Sequence, residues 1–430
     1  MLNKVFEKII YKRLYSFFDK YKLFYEFQFG FRGGHSTTQA LIEILDKIRD
    51  SISKGKIVCG VFADLSKAFD TVDHKILLEK LNHYGVRGNA NNLIKNYLHN
   101  RKQYVQIGDT KSCLLPINCG VPQGSVLGPL LFLIYVNDIA NKCPYGLIRL
   151  FADDTNIFIE HSDIKSLTEN AKEIIEYLNS WFKTNKLTLN ANKTNFIIFT
   201  SENKRANIDI PDTLQVENLI INRITHTKYL GLIIDERLSW KEHVNQLCTR
   251  LKSLFPIFYD IRNFIHLKHA QIIYHAMVLS RINYGLLIYG SADKNIMVPL
   301  QTLQNKLVKV LLNRNYRTPT NEIHDVMEIL KVEDNYKLET LSFVHRFFNK
   351  KLPSVFNDYF KTLRDCHTVN TRNSKYTLRD PMYKTKIGRN SVKQKGVQFW
   401  NGTDNNVKEI SNLKSFKNAF KDSIIPYDKS

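Results

Sequence analysis

The sequence predicts an α+β fold, with strands and helices interleaved over the first half and helices almost alone beyond about residue 240. Three features carry that expectation. Runs of β-formers, "KIVCGVFADL" at 56–65 and "RLFADDTNIFIE" at 149–160, fit buried strands. Longer segments repeat apolar residues at helical spacing. From about residue 241 the strand-like runs stop and the helical pattern continues, through "HVNQLCTRLKSLFPIFYDIR" and "ETLSFVHRFFNK". The 430 residues suggest more than one domain, and a hydrophobic share of 43% is enough for a sizeable core.

Residues 1–22 place Leu2, Val5, Phe6, Ile9, Ile10, Leu14, Phe17 and Phe18 on a helical stripe. A chain that opens inside an amphipathic helix is expected to be a piece of a longer protein. "QFGFRGGHSTTQ" at 28–39 reads as a loop, with Ser36 and Thr37 as caps for a helix through Ile48. Residues 56–65 form a strand that delivers Asp64 at its end. Helices are expected from about Asp73 and over about Asn91 to Leu98.

"QYVQIGDTKSCLLPINCGVPQG" reads as a hairpin entering a Gly/Pro loop, and "SVLGPLLFLIYVNDIANK" as a largely buried helix. Residues 149–160 then give two strands with Asp153 and Asp154 on a tight turn, although no Gly or Asn marks an ordinary hairpin there. A helix over 165–183 and a strand in "TNFIIFTS" follow, and two short β pieces flank Gly231. The region 365–405, rich in Arg, Lys, Asn, Thr and Ser, looks weakly structured, with "GVQFW" as a docked aromatic anchor.

Lys and Arg number 62 against 41 acids, a formal net charge of +21, which favours a polyanionic partner. Nucleic acid is preferred to a membrane, because the run around Pro129–Val136 is too short to span a bilayer. The six cysteines are scattered without C-x-x-C pairs, and argue for neither a zinc site nor a disulfide framework.

Asp64 ends one predicted strand and Asp153–Asp154 sit on a turn between two others; if those strands are neighbours in one sheet, three carboxylates converge at one edge. Such oxygens settle their repulsion by holding hard divalent cations, and Mg²⁺ prefers a few carboxylates together with substrate phosphates. Two such ions can activate an attacking hydroxyl and steady a leaving pyrophosphate.

These residues fall in a recognisable series. "FADLSKAF", "GVPQGSVLGPLLF", "FADDT", "LNANKT" and "YLGLIID" resemble, in order and spacing, polymerase palm motifs A to E. They look like those of reverse transcriptases, in particular of non-LTR (LINE-type) retrotransposons of the Jockey or CR1 kind, and "QFGFRGGHSTTQA" resembles the fingers motif of the same group. The resemblance implies a right-hand polymerase: partial fingers over 1–55, a palm with an antiparallel sheet and interleaved fingers segments over 56–240, a helical thumb over 241–290, and a helical, basic C-terminal region over 291–430. It also implies an N-terminally truncated fingers region, with no endonuclease or ribonuclease H acid set in the chain.

The same resemblance implies roles. Asp64 and Asp153 would be the principal ligands of two Mg²⁺ ions, replaceable by Mn²⁺, with Asp154 as the third acid and Leu65 lending a carbonyl. Phe69 would be the steric gate against a ribose 2′-hydroxyl. Gln123 and Gly124 would form the nucleotide pocket, Arg32 would clamp phosphates, and Lys193 would be the motif D lysine. Leu230 and Gly231 would be the primer grip. The implied activity is RNA-directed DNA synthesis from dNTP on an RNA template, such as the element's own RNA, and a DNA primer, in the nucleus or cytoplasm. The alternative is a decayed or co-opted remnant that binds nucleic acid without chemistry. An RNA-directed RNA polymerase is disfavoured because Phe69 precedes the acid Asp70.

Overall fold

Strand β1, Ile57–Ala63, is buried along its whole length. Its uninterrupted apolar run has a direct cause: it lies inside a sheet covered on both sides, where alternation would bury polar groups. The computed structural model describes residues 2–143, 147–366 and 376–424. The chain divides into two compact units. One comprises residues 1–40, 56–199 and 203–224, and the other residues 41–55, 200–202 and 225–430.

The first unit is built on a six-stranded sheet. Besides β1 and the short pieces β2 (Lys102–Gln103), β3 (Gln106–Ile107), β4 (Thr110–Lys111) and β5 (Leu115–Pro116), it contains β6 (Leu147–Phe151), β7 (Asp154–His161), β8 (Asn195–Phe199), β9 (Thr213–Val216) and β10 (Leu219–Arg223). The order is β6-β7-β1-β8-β10-β9, and β10 against β8 is its parallel pair. The hairpin expected within residues 103–124 is present as the exposed ladders β2–β5 and β3–β4, outside this sheet. The hairpin β9–β10, in "TLQVENLIINR", was not anticipated.

The helices α1 (Leu2–Lys20), the start of α2 (Thr37–Ser53), α3 (His74–His83), α4 (Asn89–Leu98), α5 (Gly128–Val136) and α6 (Ile164–Thr184) accompany this sheet, and all but α2 share one apolar core with its Ile57, Cys59, Val61, Ile157 and Ile159. Asp73 caps α3 by accepting from the Ile76 N–H at 3.0 Å, and Asp163 caps α6 by accepting from Ser166 at 2.8 Å. Each cap satisfies an N–H that has no partner within its helix. Eight of the nine residues of α5 are fully buried, which explains a helix that is apolar all round.

In the second unit, β11 (His226–Tyr229) and β12 (Leu232–Asp235) pair around Gly231. Helices dominate the rest, including Lys241–Lys252, Lys294–Leu311, Val332–Phe348 and Val392–Asn401. The buried carboxylate of Asp46 on α2 accepts from the N–H groups of Val392 at 3.0 Å and Lys393 at 2.9 Å, and from the Tyr359 hydroxyl. An anion at a helix N-terminus is favoured by the dipole there. Arg49, also buried, adds its guanidinium 3.4 Å from Asp46.

The expectation of weak structure over 365–405 is corrected outside residues 367–375, which lie beyond the described set. Helices form over Lys386–Arg389 and Val392–Asn401. Trp400 is fully buried, stacks on Phe348 at 5.0 Å and donates to the Tyr376 carbonyl, as the anchor reading required. Among the described residues no helix is long and apolar enough to cross a membrane.

Candidate active site

The strand register brings the acids together. β1 pairs with β7 so that Ala63 faces Thr155, and β6 pairs with β7 so that Phe151 faces Asp154. Extending the first pairing by one residue sets Asp64 across from Asp154, and cross-strand neighbours in such a ladder lie about 5 Å apart. Ala152 and Asp153 make the two-residue turn between β6 and β7.

The electrostatics agree with this placement. The Asp154 carboxyl is pushed up to about 6, first by the protein crowding out solvent around it, then by the charges of Asp153 and Asp64. Burial and like charges both favour the neutral acid. Among the described residues no three His, Cys, Asp or Glu side chains converge to ligating distance. The donor chemistry nevertheless fits a hard divalent cation: all three groups are carboxylates, and Asp154 carries the unrelieved repulsion that such an ion would remove.

Asp64 is held from the segment after α6. The Asn190 backbone N–H donates to the Asp64 carbonyl at 2.8 Å, and its side-chain amide donates to Oδ2 at 3.2 Å. The Asp64 N–H reaches Thr194 Oγ1 at 3.3 Å, and the Lys193 ammonium lies 3.8 Å from Oδ2. Leu65 is buried and bridges Leu189. Of this cradle the sequence singled out Lys193 but not Asn190 or Thr194. The signal was available, since both flank it in "NANKT" within a motif already placed near the acids.

Phe69 stacks on Phe132 of α5 with ring centres 4.4 Å apart, and the exposed Phe31 meets it edge-on at 6.2 Å. The ring is therefore fixed from two sides while remaining partly open. The loop before α5 is tied to the same stretch: the Val121 N–H donates to the Phe69 carbonyl at 2.9 Å, and Gln123 Nε2 donates to the Asp70 carboxylate at 2.9 Å. Gly124 beside it is exposed, with open space where a Cβ would lie. Arg32 is half-buried. Its Nη1 donates to the carbonyls of Tyr25 at 3.0 Å and Gln28 at 3.3 Å, its guanidinium lies over Phe24, and burial lowers its pKa.

Leu230 and Gly231 belong to the second unit. Gly231 has φ +82, and a Cβ there would come within 2.8 Å of the Tyr284 ring, so the β11–β12 turn needs glycine twice over. The Tyr284 hydroxyl donates to the Leu230 carbonyl at 2.6 Å.

The three acids thus lie at one end of the β1–β7 ladder, with the Phe69 ring and the loop that carries Gln123 tied to the stretch just after Asp64. Residues 1–234 match the family model for "Reverse transcriptase (RNA-dependent DNA polymerase)", and the chain belongs to that family. It is 27% identical over 350 residues to the probable RNA-directed DNA polymerase from transposon X-element of Drosophila melanogaster, covering 77% of this chain and 37% of that protein. To the RNA-directed DNA polymerase from mobile element jockey of the same organism it is 26% identical, covering 79% of this chain and again 37% of the relative. The chain thus spans less than two fifths of the length of each of these two relatives.

Proposed function

We propose that this chain is the polymerase portion of a non-LTR retrotransposon protein and copies RNA into DNA, joining the primer 3′-hydroxyl to the α-phosphate of a dNTP with release of pyrophosphate. The observation that carries this reading is the register that sets Asp64 across from Asp154, next to Asp153. Membership of the reverse transcriptase family supports it.

On this reading the sheet-bearing segment 56–240 acts as palm, residues 1–55 as partial fingers, 241–290 as thumb and 291–430 as a basic C-terminal extension. Asp64, Asp153 and Asp154, with the Leu65 carbonyl, would hold divalent metal, Mg²⁺ by preference and Mn²⁺ as substitute, in the two-ion form typical of phosphoryl transfer. Bound there, the metal would supply Lewis-acid activation and charge neutralisation.

The chain's own residues supply positioning. Phe69, braced by Phe132 and Phe31, presents a ring against the sugar of the incoming nucleotide and excludes a 2′-hydroxyl. Gln123, oriented by Asp70, and Gly124 line the nucleotide's approach. Lys193, mostly exposed and near Asp64, places an ammonium where departing phosphate charge would develop. Leu230 and Gly231, pinned by Tyr284, form a rigid turn suited to gripping a primer. The net charge of +21 suits a channel for template and primer.

A second reading has one observation in its favour. Arg32, the candidate phosphate clamp, spends its Nη1 hydrogen bonds on carbonyls of its own loop, which suits a remnant that binds nucleic acid without chemistry. Primer extension on poly(rA)–oligo(dT) with dTTP and Mg²⁺ or Mn²⁺ separates the two. Elongation supports the polymerase, and binding without elongation supports the remnant.

A further inference from the structure

The turn that carries Asp153 is held in a conformation its own sequence does not favour. Ala152, its first residue, has φ +56, in the left-handed region where hairpins prefer glycine. A side chain there persists when the surroundings over-determine it. The surroundings in this case are the loop segment 27–30.

That segment runs beside β6, the edge strand of the sheet, and closes the edge as a short parallel pairing. The Phe29 N–H donates to the Leu150 carbonyl at 2.9 Å, and the Leu150 N–H to the Phe27 carbonyl at 3.0 Å. Between these two bonds sits Gln28, 1% exposed and facing Leu150. Its side chain turns along the strand to the catalytic turn. Gln28 Oε1 accepts from the Ala152 N–H at 3.1 Å and from the Gly30 N–H at 2.8 Å, and Nε2 lies 3.5 Å from the Ala152 carbonyl. One buried amide therefore reads both polar backbone groups of the strained residue, 124 positions away in sequence.

Gly30 completes the brace by its lack of a side chain. A Cβ at that position would come within 2.2 Å of the Ala152 nitrogen, so the loop could not approach the turn closely enough for Gln28 to reach it.

We propose that Gln28 is a positioning residue for the acids: by holding Ala152 in its left-handed conformation it fixes where Asp153 and Asp154 project. The proposal rests on the polymerase reading for its consequence, but the contact itself can be tested without it. Gln28 touches no substrate in this scheme and acts through Ala152 alone.

The test uses the full chain with three variants. Gln28→Met keeps the shape but lacks the acceptor. Gln28→Glu keeps an acceptor for both N–H groups. Gly30→Ala forces the loop away from the turn. Amide hydrogen exchange at Ala152, followed with the neighbouring Leu150 amide as reference, reads the brace directly. Exchange at Ala152 should speed about tenfold or more in Gln28→Met and Gly30→Ala and remain near wild type in Gln28→Glu, while the Leu150 amide, bonded to the Phe27 carbonyl of the same loop, should change little in the two Gln28 variants and speed only in Gly30→Ala. Unchanged exchange at Ala152 in Gln28→Met overturns the proposal, whatever the activity.

In primer extension kcat should fall about 10- to 100-fold in Gln28→Met, because small misplacements of reacting groups are costly. The dNTP KM, the duplex Kd and Tm should stay close to wild type, and Gln28→Glu should recover most of kcat. A joint loss of kcat, duplex binding and Tm would show a merely structural residue and also overturns the positioning role. A wild-type chain that elongates nothing counts against the polymerase reading, and the role of Gln28 is then decided by exchange alone.

Discussion

The side-chain amide of Asn190 lies 3.2 Å from Oδ2 of Asp64, and its backbone N–H closes a second bond, 2.8 Å, to the Asp64 carbonyl. Asp64 is thus oriented by a neighbour as well as by its strand. Asn190→Ala removes the side-chain bond and leaves the backbone bond, so the fold should hold while the acid loosens. A hydrogen bond to a charged group is worth about 1.5–3 kcal/mol, which corresponds to a fall in kcat of roughly 10- to 100-fold. Primer-extension kinetics together with Tm check this, and a wild-type rate in Asn190→Ala would mean the amide has no orienting role.

The ring of Phe69 stacks on Phe132 with centres 4.4 Å apart, a contact that favours its present place. Phe69→Val should therefore open the sugar side of the pocket without unfolding the chain, and the preference for dTTP over UTP should fall by about tenfold or more. Competition between the two nucleotides on one primer–template measures it. An unchanged preference would remove Phe69 from the sugar pocket.

Repulsion at the acids has a thermodynamic cost. Asp154, with its carboxyl pushed up to about 6 by crowding and by Asp153 and Asp64, is ionised at neutral pH against its surroundings. Asp154→Asn removes that charge, so Tm at pH 7.5 without divalent metal should rise while elongation is lost. A lower Tm would show that the carboxylate is a structural partner instead.

The sequence reads the elements around the acids well, and for a physical reason. β1, β7 and α6 are bounded by strong local signals: an unbroken β-forming run, a paired-acid turn and a helical stripe with Asp163 at its cap. Gln28 was illegible because its partner, Ala152, sits on the turn after β6, 124 positions away, and only the pairing of Gln28 with Leu150 brings them together. Arg32, which by motif would clamp phosphates, also turns Nη1 toward carbonyls of its own loop, a contact that no motif announces. The β9–β10 hairpin escaped because its strands are only four and five residues long, although Leu214 and Val216 alternate with polar residues as in a half-buried strand.

His243, in the helix Lys241–Lys252, is buried against Tyr289 and accepts from the Ile233 N–H, and its pKa falls to about 4 through burial first and Arg250 second. A base whose folded pKa is depressed is held neutral by the fold, so the unfolded chain takes up the proton first. Stability is then full above the ordinary histidine value near 6.5 and is lost as pH falls from there to about 4, by about 3 kcal/mol. Urea unfolding followed between pH 7 and pH 4 should show this slope, reduced in His243→Gln. An equal slope in the variant would assign it to other groups.

The most direct measurement is single-nucleotide incorporation by Asp153→Asn beside the wild-type chain, with duplex binding measured in the same buffer. Asp153 stands on the turn between β6 and β7, beside the acid that faces Asp64 across the β1–β7 ladder. The expected result is elongation by the wild type, none detectable by the variant, and duplex Kd values within about twofold, since a metal-binding acid contributes to chemistry and little to backbone contacts. Incorporation by Asp153→Asn at the wild-type rate, or a parallel loss of duplex binding, would contradict the assignment of these acids as the catalytic centre.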